Sequence, residues 1–314
     1  MKFIHVYNPQ YFEGLEKNGF LNADSGFKIQ HVFSLTEDMK FNQLAAKGSR
    51  LHSLIREGNY PFYVDRLTGG VTYHQYDFDK TLCTTDMQEY DFIKNLDMTS
   101  GEFWGNAAQI TDQHGVERIL AYMFVMIKKC KEKGIPLTEE YLKKCGENVV
   151  LFDGVLSWFD RINAFGESLG VTIEHYIISS GTYEIIQGTP IAKYFKRIYA
   201  CRYMYDENGE ALWPALAINY TLKTQYIYRI SKGILDVTDD YNLNREQNEK
   251  LRRIAYRNMI YIGDGMTDIP CMKMLKEKGG KSIALYPAGN STNVTPLVED
   301  ERINYVCVAD YSPD

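Results

Sequence analysis

The stretch Asp77-Phe78-Asp79-Lys80-Thr81 places two carboxylates two residues apart, directly after an apolar segment. That segment, residues 71–78, follows Gly69-Gly70 and is rich in the aromatic and β-branched residues typical of a strand. Side chains alternate along a strand, so Asp77 and Asp79 are expected on the same side, with the chain leaving the sheet near Asp79. Two carboxylates this close repel each other unless a cation compensates them, and such oxygen ligands suit Mg²⁺. An Asx-type turn at a strand end is the alternative interpretation of the same residues.

Length and composition are those of a globular protein. The chain has 314 residues, of which 45% are hydrophobic and 24% charged, enough for one large domain or two small ones. Its formal net charge of −6 argues against a general nucleic-acid binder, because such proteins usually carry a basic excess. Phosphorylated small molecules stay compatible with this charge, since a metal and local cations can hold them.

Cysteine usage and hydropathy indicate a cytoplasmic protein. The six cysteines are scattered without a C-x-x-C pair, which favours a reducing compartment and suggests no zinc site. The N-terminal residues turn polar early and lack an apolar signal core. The longest apolar run, Ile119–Ile127, is far too short to cross a bilayer. We therefore expect no membrane segment and no membrane partner.

The first half of the chain divides into two predicted regions. Residues 1–70 form an N-terminal extension that is expected to pack on the core, with a helix over Phe41–Glu57 and a strand over Pro61–Val64; an independent binding module is the alternative. Residues 84–150 are predicted to be helical. Within them, residues 116–133 carry an apolar face and end in a lysine cluster before Gly134, where cations favour the helix dipole.

From residue 151 onward, strand and helix patterns alternate, which predicts a doubly wound, parallel α/β sheet covered on both faces. The predicted elements are a helix over 155–169, a strand over 171–178, a hairpin formed by 198–205 and a return near 216–220, helices over 224–232 and 245–256, a strand over 258–262, a helix from Pro270 and a strand over 282–285.

Three predicted strands end in polar clusters. These clusters are Asp77 with Asp79, Ser179 with Ser180, and the turn Gly263–Asp268, which contains Asp264. Because functional loops of a doubly wound sheet gather at the carboxyl ends of its strands, we expect the three clusters to lie together. For the last turn alone, a glycine-rich turn with a helix-capping Asp268 is the alternative.

With these residues in place, the sequence resembles the haloacid dehalogenase (HAD) superfamily of phosphohydrolases over residues 71–285. Its four motifs are matched in order by Asp77–Thr81, Ser179 after an apolar strand, a lysine before the last motif, and Gly263–Asp268. The resemblance implies a Rossmann-like core over 71–83 and 151–314, and the long gap between the first two motifs resembles the helical C1-type cap of phosphoserine-phosphatase-like members over 84–150.

Two motif positions have alternatives. Ser179 is preferred to Ser180 for the second motif, because the family usually places its hydroxyl just before two small residues. Lys223 is preferred to Lys232 as the motif lysine, since the family's lysine commonly sits just ahead of a helix.

The resemblance implies a chemistry for the two opening carboxylates. Asp77 would attack phosphorus and form an aspartyl-phosphate, and Asp79 would protonate the leaving oxygen and later deprotonate water. Mg²⁺ would bridge Asp77, the backbone carbonyl of Asp79 and Asp264.

The remaining motif residues would support that chemistry. Lys223 and Ser179, with Ser180 beside it, would bind the phosphoryl oxygens. Asp268 would orient Lys223 or a metal-bound water.

The expected substrate is a small phosphorylated metabolite. Phosphoserine phosphatases carry an acidic residue early in the cap that meets the substrate amine, and Asp86 or Glu89 matches that position, with Arg118 as a carboxylate partner. Ordinary exposed charges on cap helices are the alternative interpretation of these three residues.

The function expected from the resemblance is Mg²⁺-dependent phosphomonoester hydrolysis, and it has two rivals. A phosphotransferase or phosphomutase of the same fold would keep both Asp77 and Asp79. A non-catalytic binding or regulatory module is the other alternative, although the intact motifs argue against it. Asp79 also argues against dehalogenation, because a halide leaving group needs no proton. The sequence does not indicate an oligomeric state.

Overall fold

The computed structural model describes residues 71–245 and 252–313, together with two short strands that pair in parallel, Lys2–Phe3 (β1) and Phe27–Lys28 (β2). The helix expected over Phe41–Glu57, the strand over Pro61–Val64 and the packing of the N-terminal extension lie outside the described residues.

A seven-stranded sheet forms the centre of the molecule, in the order β6-β5-β4-β3-β7-β8-β9. Its strands are β3 Val71–Tyr76, β4 Thr172–Thr182, β5 Phe195–Tyr205, β6 Ala211–Leu216, β7 Met259–Gly263, β8 Lys281–Tyr286 and β9 Tyr305–Val308. Every neighbouring pair is parallel except β5 and β6. The predicted α/β class is confirmed, and β9 is a strand that the sequence pattern did not reveal.

Helices cover the sheet and fill the segment between β3 and β4. They are α1 Phe92–Asn95, α2 Ser100–His114, α3 Arg118–Lys133, α4 Glu139–Glu147, α5 Val155–Ser168, α6 Tyr183–Gly188, α7 Tyr220–Lys232, α8 Asp240–Asn244, α9 Ile269–Glu277 and α10 Thr295–Glu299. Four of them, α1 to α4, fall within residues 84–150, the region predicted to be a helical cap.

Local sequence explains where the two long cap helices begin and end. A capping box starts α2, since the Thr99 side chain accepts the Glu102 N–H and the Glu102 side chain accepts the Thr99 N–H. Gly134 ends α3 in the left-handed region, at φ +68°. The helix therefore stops where the sequence predicted.

The predicted hairpin is shorter than expected. Asp206 Oδ1 accepts the backbone N–H groups of Asn208 and Glu210, which closes the turn early enough for β6 to begin at Ala211. The freed residues then allow the Asn219 side chain to cap α7. The prediction of a return strand over 216–220 is therefore wrong.

The helix predicted over 245–256 is also wrong for its described part, which holds only a 3-10 turn at Tyr256–Asn258. A short helix, α8, forms earlier because the Asp239 side chain caps its start. It ends where Lys232 Nζ donates to the carbonyl oxygens of Leu243 and Arg245, both at 2.6 Å.

β3 lies at the centre of the sheet, between β4 and β7. Its carboxyl end therefore meets the carboxyl ends of two neighbours, which is where the motif residues follow. Among the described residues, no helix combines the length and apolarity needed to span a membrane.

Candidate active site

Asp77 is the first residue after β3 and is tied to both neighbouring structure and charge. Its backbone N–H donates to the Ile262 carbonyl of β7 at 2.9 Å. Its side-chain Oδ1 accepts the Phe78 N–H at 2.8 Å, and its Oδ2 lies 2.9 Å from Lys223 Nζ. Burial raises the pKa of Asp77 to about 6, against the opposing charge of Lys223. Asp77 is thus an oriented carboxylate at the centre of the sheet edge.

Lys223 joins two of the predicted acidic residues. Its fully buried ammonium group also lies 2.7 Å from Asp268 Oδ1. Burial alone would lower the pKa of Lys223, but the charges and hydrogen bonds of Asp268 and Asp77 raise it above its ordinary value. The lysine is in the first turn of α7, not ahead of the helix as the sequence suggested. Lys232 is buried elsewhere and binds backbone carbonyls. Of the two lysines, the structure brings only Lys223 to Asp77.

Asp264 and Asp268 complete an acidic cluster. Carboxylate oxygens of Asp77, Asp264 and Asp268 lie within 4.8 Å of one another. Burial, together with the negative charges of Asp268 and Asp77, raises the pKa of Asp264 to about 8. Asp268 Oδ2 is buried without a hydrogen-bond partner. A close set of oxygen donors with one orphaned oxygen fits a hard divalent cation such as Mg²⁺.

Asp79 lies on the other side of the cluster, under residues that follow it in the chain. Its Oδ1 accepts the Met87 N–H at 2.7 Å. Burial, and then the negative charges of Asp86 and Asp77, raise the pKa of Asp79 well above its ordinary value. Such a carboxyl group holds a proton at a pH where an exposed aspartate has lost it.

The second motif is built into a longer strand than predicted. β4 continues through Ser179 to Thr182, with a shift of register against β5 after Ile178. Ser179 is fully buried, and its Oγ accepts the Gly181 N–H at 3.0 Å, which leaves the hydroxyl proton to be donated. Ser180 contributes its carbonyl oxygen, which accepts the Tyr122 hydroxyl at 2.8 Å.

The three residues predicted to meet a substrate already have other roles or no partner. Asp86 forms an ion pair with Lys80 at 2.8 Å. Glu89 is only partly buried, and hydrogen bonds from Ser100, Thr85 and Trp104 lower its pKa against the opposing effect of burial. Arg118 begins α3 with an exposed side chain and forms no ion pair with any described residue.

Sequence reasoning missed several residues that shape the site. Tyr261 donates its hydroxyl to Asp268 Oδ1 at 2.7 Å, and Met87 supplies the N–H that binds Asp79. A tyrosine inside the short buried strand before the last motif was the available signal for Tyr261. The sequence carries no comparable signal for Met87, because the contact is made by its backbone.

Comparison with known proteins agrees with this architecture. No family model matches the sequence. A curated protein of Borreliella burgdorferi, described as an uncharacterized protein, is 25% identical over 263 residues, which cover 76% of this chain and 90% of the relative.

Two solved structures represent the structural likeness. A HAD family hydrolase from Salmonella enterica serovar Typhi aligns with a TM-score of 0.50 at 17% identity, covering 82% of this chain and 75% of that chain. A phosphoserine phosphohydrolase-like protein from Francisella tularensis aligns with a TM-score of 0.46 at 20% identity, covering 75% and 94%. The Salmonella likeness confirms that this chain has the HAD-like fold predicted from its motifs.

Proposed function

We propose that this protein is a Mg²⁺-dependent phosphomonoester hydrolase that acts through an aspartyl-phosphate on a small phosphorylated metabolite. The observation that carries this proposal is the arrangement around Lys223, whose ammonium group bridges Asp77 and Asp268 beside Asp264. The HAD-like fold and the oxygen-rich cluster support it. Six buried, unpaired cysteines fit a cytoplasmic location.

Asp77 is the proposed nucleophile. The Phe78 N–H and Lys223 hold its carboxylate in one orientation, so little entropy is lost when it attacks. With a pKa of about 6, Asp77 is largely ionised at neutral pH. Formation of the bond between its oxygen and phosphorus displaces the leaving oxygen, and water later breaks the acyl-phosphate.

Asp79 is the proposed proton carrier. Its raised pKa keeps a proton available for the leaving oxygen. The resulting carboxylate then accepts a proton from the attacking water. A single group with a pKa near the working pH serves both steps.

Asp77, Asp264 and the backbone carbonyl of Asp79 are the groups that would hold Mg²⁺. When bound, the ion would offset the repulsion between phosphate and the acidic cluster. Lys223 and the Ser179 hydroxyl would bind phosphoryl oxygens, and Asp268 keeps Lys223 in place.

The test is hydrolysis of para-nitrophenyl phosphate with and without Mg²⁺ by the wild type and Asp77→Asn. We expect Mg²⁺-dependent release of phosphate by the wild type and loss of at least about a thousand-fold in the variant, because the covalent route is closed. Asp112→Asn, on the exposed side of α2, is the matched control and is expected to retain activity.

Two results would contradict the proposal. One is a wild type that hydrolyses no phosphate ester in a panel of phosphorylated metabolites with Mg²⁺. The other is a folded Asp77→Asn protein with wild-type turnover. Solvent oxygen in the released phosphate would separate hydrolysis from transfer to a second hydroxyl group.

A further inference from the structure

The segment Asp86–Glu89 lies directly against the carboxyl group of Asp79. Its Met87 N–H donates to Asp79 Oδ1 at 2.7 Å, and Met87 Sδ accepts the Thr182 N–H at 3.2 Å. A side chain at Gly181 would collide with Met87 Cε and lie 2.9 Å from Asp79 Oδ2. One buried residue of this segment therefore contacts both Asp79 and the end of β4.

Both ends of the segment are anchored. At the first end, Asp86 pairs with Lys80, the residue that follows Asp79. At the other end, the Glu89 carboxylate accepts three hydrogen bonds, from Thr85 Oγ1, Ser100 Oγ and, at 3.1 Å, Trp104 Nε1.

The donors to Glu89 come from two different places. Thr85 precedes the segment, whereas Ser100 and Trp104 belong to the first turns of α2. Glu89 Oε1 receives both donors from α2, and Oε2 receives the Thr85 hydroxyl. The carboxylate thus joins α2 to the segment, and a substrate ammonium would have to displace these donors to reach it.

We propose that Glu89 is a positioning residue: by joining α2 to the segment Asp86–Glu89, it holds the Met87 N–H on Asp79 and so orients the carboxyl group that delivers the proton. This inference rests on the proposed function. In the step concerned, the bond from Asp77 to phosphorus forms, the bond from phosphorus to the leaving oxygen breaks, and the proton of Asp79 passes to that oxygen.

The inference has a consequence that a purely structural role lacks. A strongly basic leaving oxygen needs the proton in the transition state, whereas a weakly basic one departs without it. Loss of Asp79 orientation should therefore slow esters of basic leaving groups most. A general loss of folded protein would slow all esters equally.

The experiment compares kcat for dinitrophenyl, para-nitrophenyl and phenyl phosphate, whose leaving groups are increasingly basic. For Glu89→Ala we expect kcat on phenyl phosphate to fall about ten-fold or more, with dinitrophenyl phosphate changed by less than about two-fold. Asp79→Asn is the reference for complete loss of proton delivery and should show the same trend more steeply.

Trp104→Phe tests the same point in case Glu89→Ala does not fold, because it removes only one donor to Glu89. It should show a weaker form of the same trend. Glu102→Ala is the matched control, since Glu102 is an exposed carboxylate at the start of the same helix that caps α2 without contacting the segment. It should show no dependence on the leaving group.

Three results would overturn the inference. Equal losses on all three esters in Glu89→Ala and Trp104→Phe would show a structural role alone. A rise in KM confined to esters that carry an ammonium group would assign Glu89 to substrate binding. Wild-type inactivity on all three esters would overturn the proposed function and this inference with it, which separates that failure from the first two.

Discussion

Lys223 carries a positive charge into a fully buried position between Asp77 and Asp268. Removing one partner of a buried ion pair leaves an uncompensated charge, which is costlier than the pair itself is stabilising. We therefore expect Lys223→Met to lower the free energy of unfolding by about 3 to 5 kcal/mol and to abolish phosphatase activity. Urea denaturation and turnover of para-nitrophenyl phosphate measure the two effects.

Lys232→Met is the control at the same scale. It also removes a buried ammonium group from α7, but one that binds the backbone carbonyls at the end of α8. We expect it to lower stability while the folded fraction keeps its wild-type turnover. Equal loss of activity per folded molecule in both variants would contradict the assignment of Lys223 to the site.

Helices α4 and α6 cross at a contact between two glycines. A Cβ on Gly146 would collide with the Ile185 carbonyl oxygen and lie 2.9 Å from Gly188 Cα. Backbone atoms yield less easily than the end of a side chain, so Gly146→Ala must push the helices apart. We expect it to lower the free energy of unfolding by about 1 to 3 kcal/mol, measured by denaturation in urea.

Gly105→Ala in α2 is the matched helical control. A Cβ there meets nothing within 4 Å. Alanine should therefore stabilise the helix by about 0.5 to 1 kcal/mol through lower backbone entropy in the unfolded chain. A Gly146→Ala protein as stable as Gly105→Ala would show that the helices do not pack as closely as described.

The whole molecule also responds to pH through two buried histidines. Burial lowers the pKa of His74 well below its ordinary value and that of His175 to about 3. The two rings share the Tyr76 hydroxyl, which also accepts the indole N–H of Trp158 at 3.0 Å. Below about pH 6.5 the unfolded chain binds protons that the folded histidines refuse, so their contribution to stability is lost as pH falls.

The buried carboxyl groups of Asp77 and Asp264 act in the opposite direction. Their folded pKa values, about 6 and about 8, exceed those of the unfolded chain, so the folded state binds more protons than the unfolded state as pH falls. The wild-type stability curve alone therefore mixes two opposite trends. A difference between two proteins isolates one of them.

We expect the stability advantage of the wild type over His175→Gln to shrink by about 1.4 kcal/mol per pH unit between about pH 6 and pH 4. Denaturation of both proteins at several pH values measures this difference. An advantage that is independent of pH would show that His175 titrates alike in the folded and unfolded states.

Much of the architecture was predictable because it depends on local pattern. The strand before Asp77, the end of α3 at Gly134 and the helix that starts near Pro270 all follow from periodicity and from residues with restricted backbones. The hairpin return and the helix over 245–256 were predicted wrongly. In both places, side-chain caps from Asp206 and Asp239 set the boundaries, which periodicity alone does not show.

By itself, the sequence determined the fold class and the carboxylates at the strand ends, because alternation and motif spacing are properties of neighbouring residues. Only the tertiary structure decided that Lys223, and not Lys232, meets Asp77, since its other partner Asp268 lies 45 residues away in the chain. It also decided that Asp86 and Glu89 are engaged within the protein. These outcomes depend on which distant side chains share a buried space, and spacing along the chain carries no record of that.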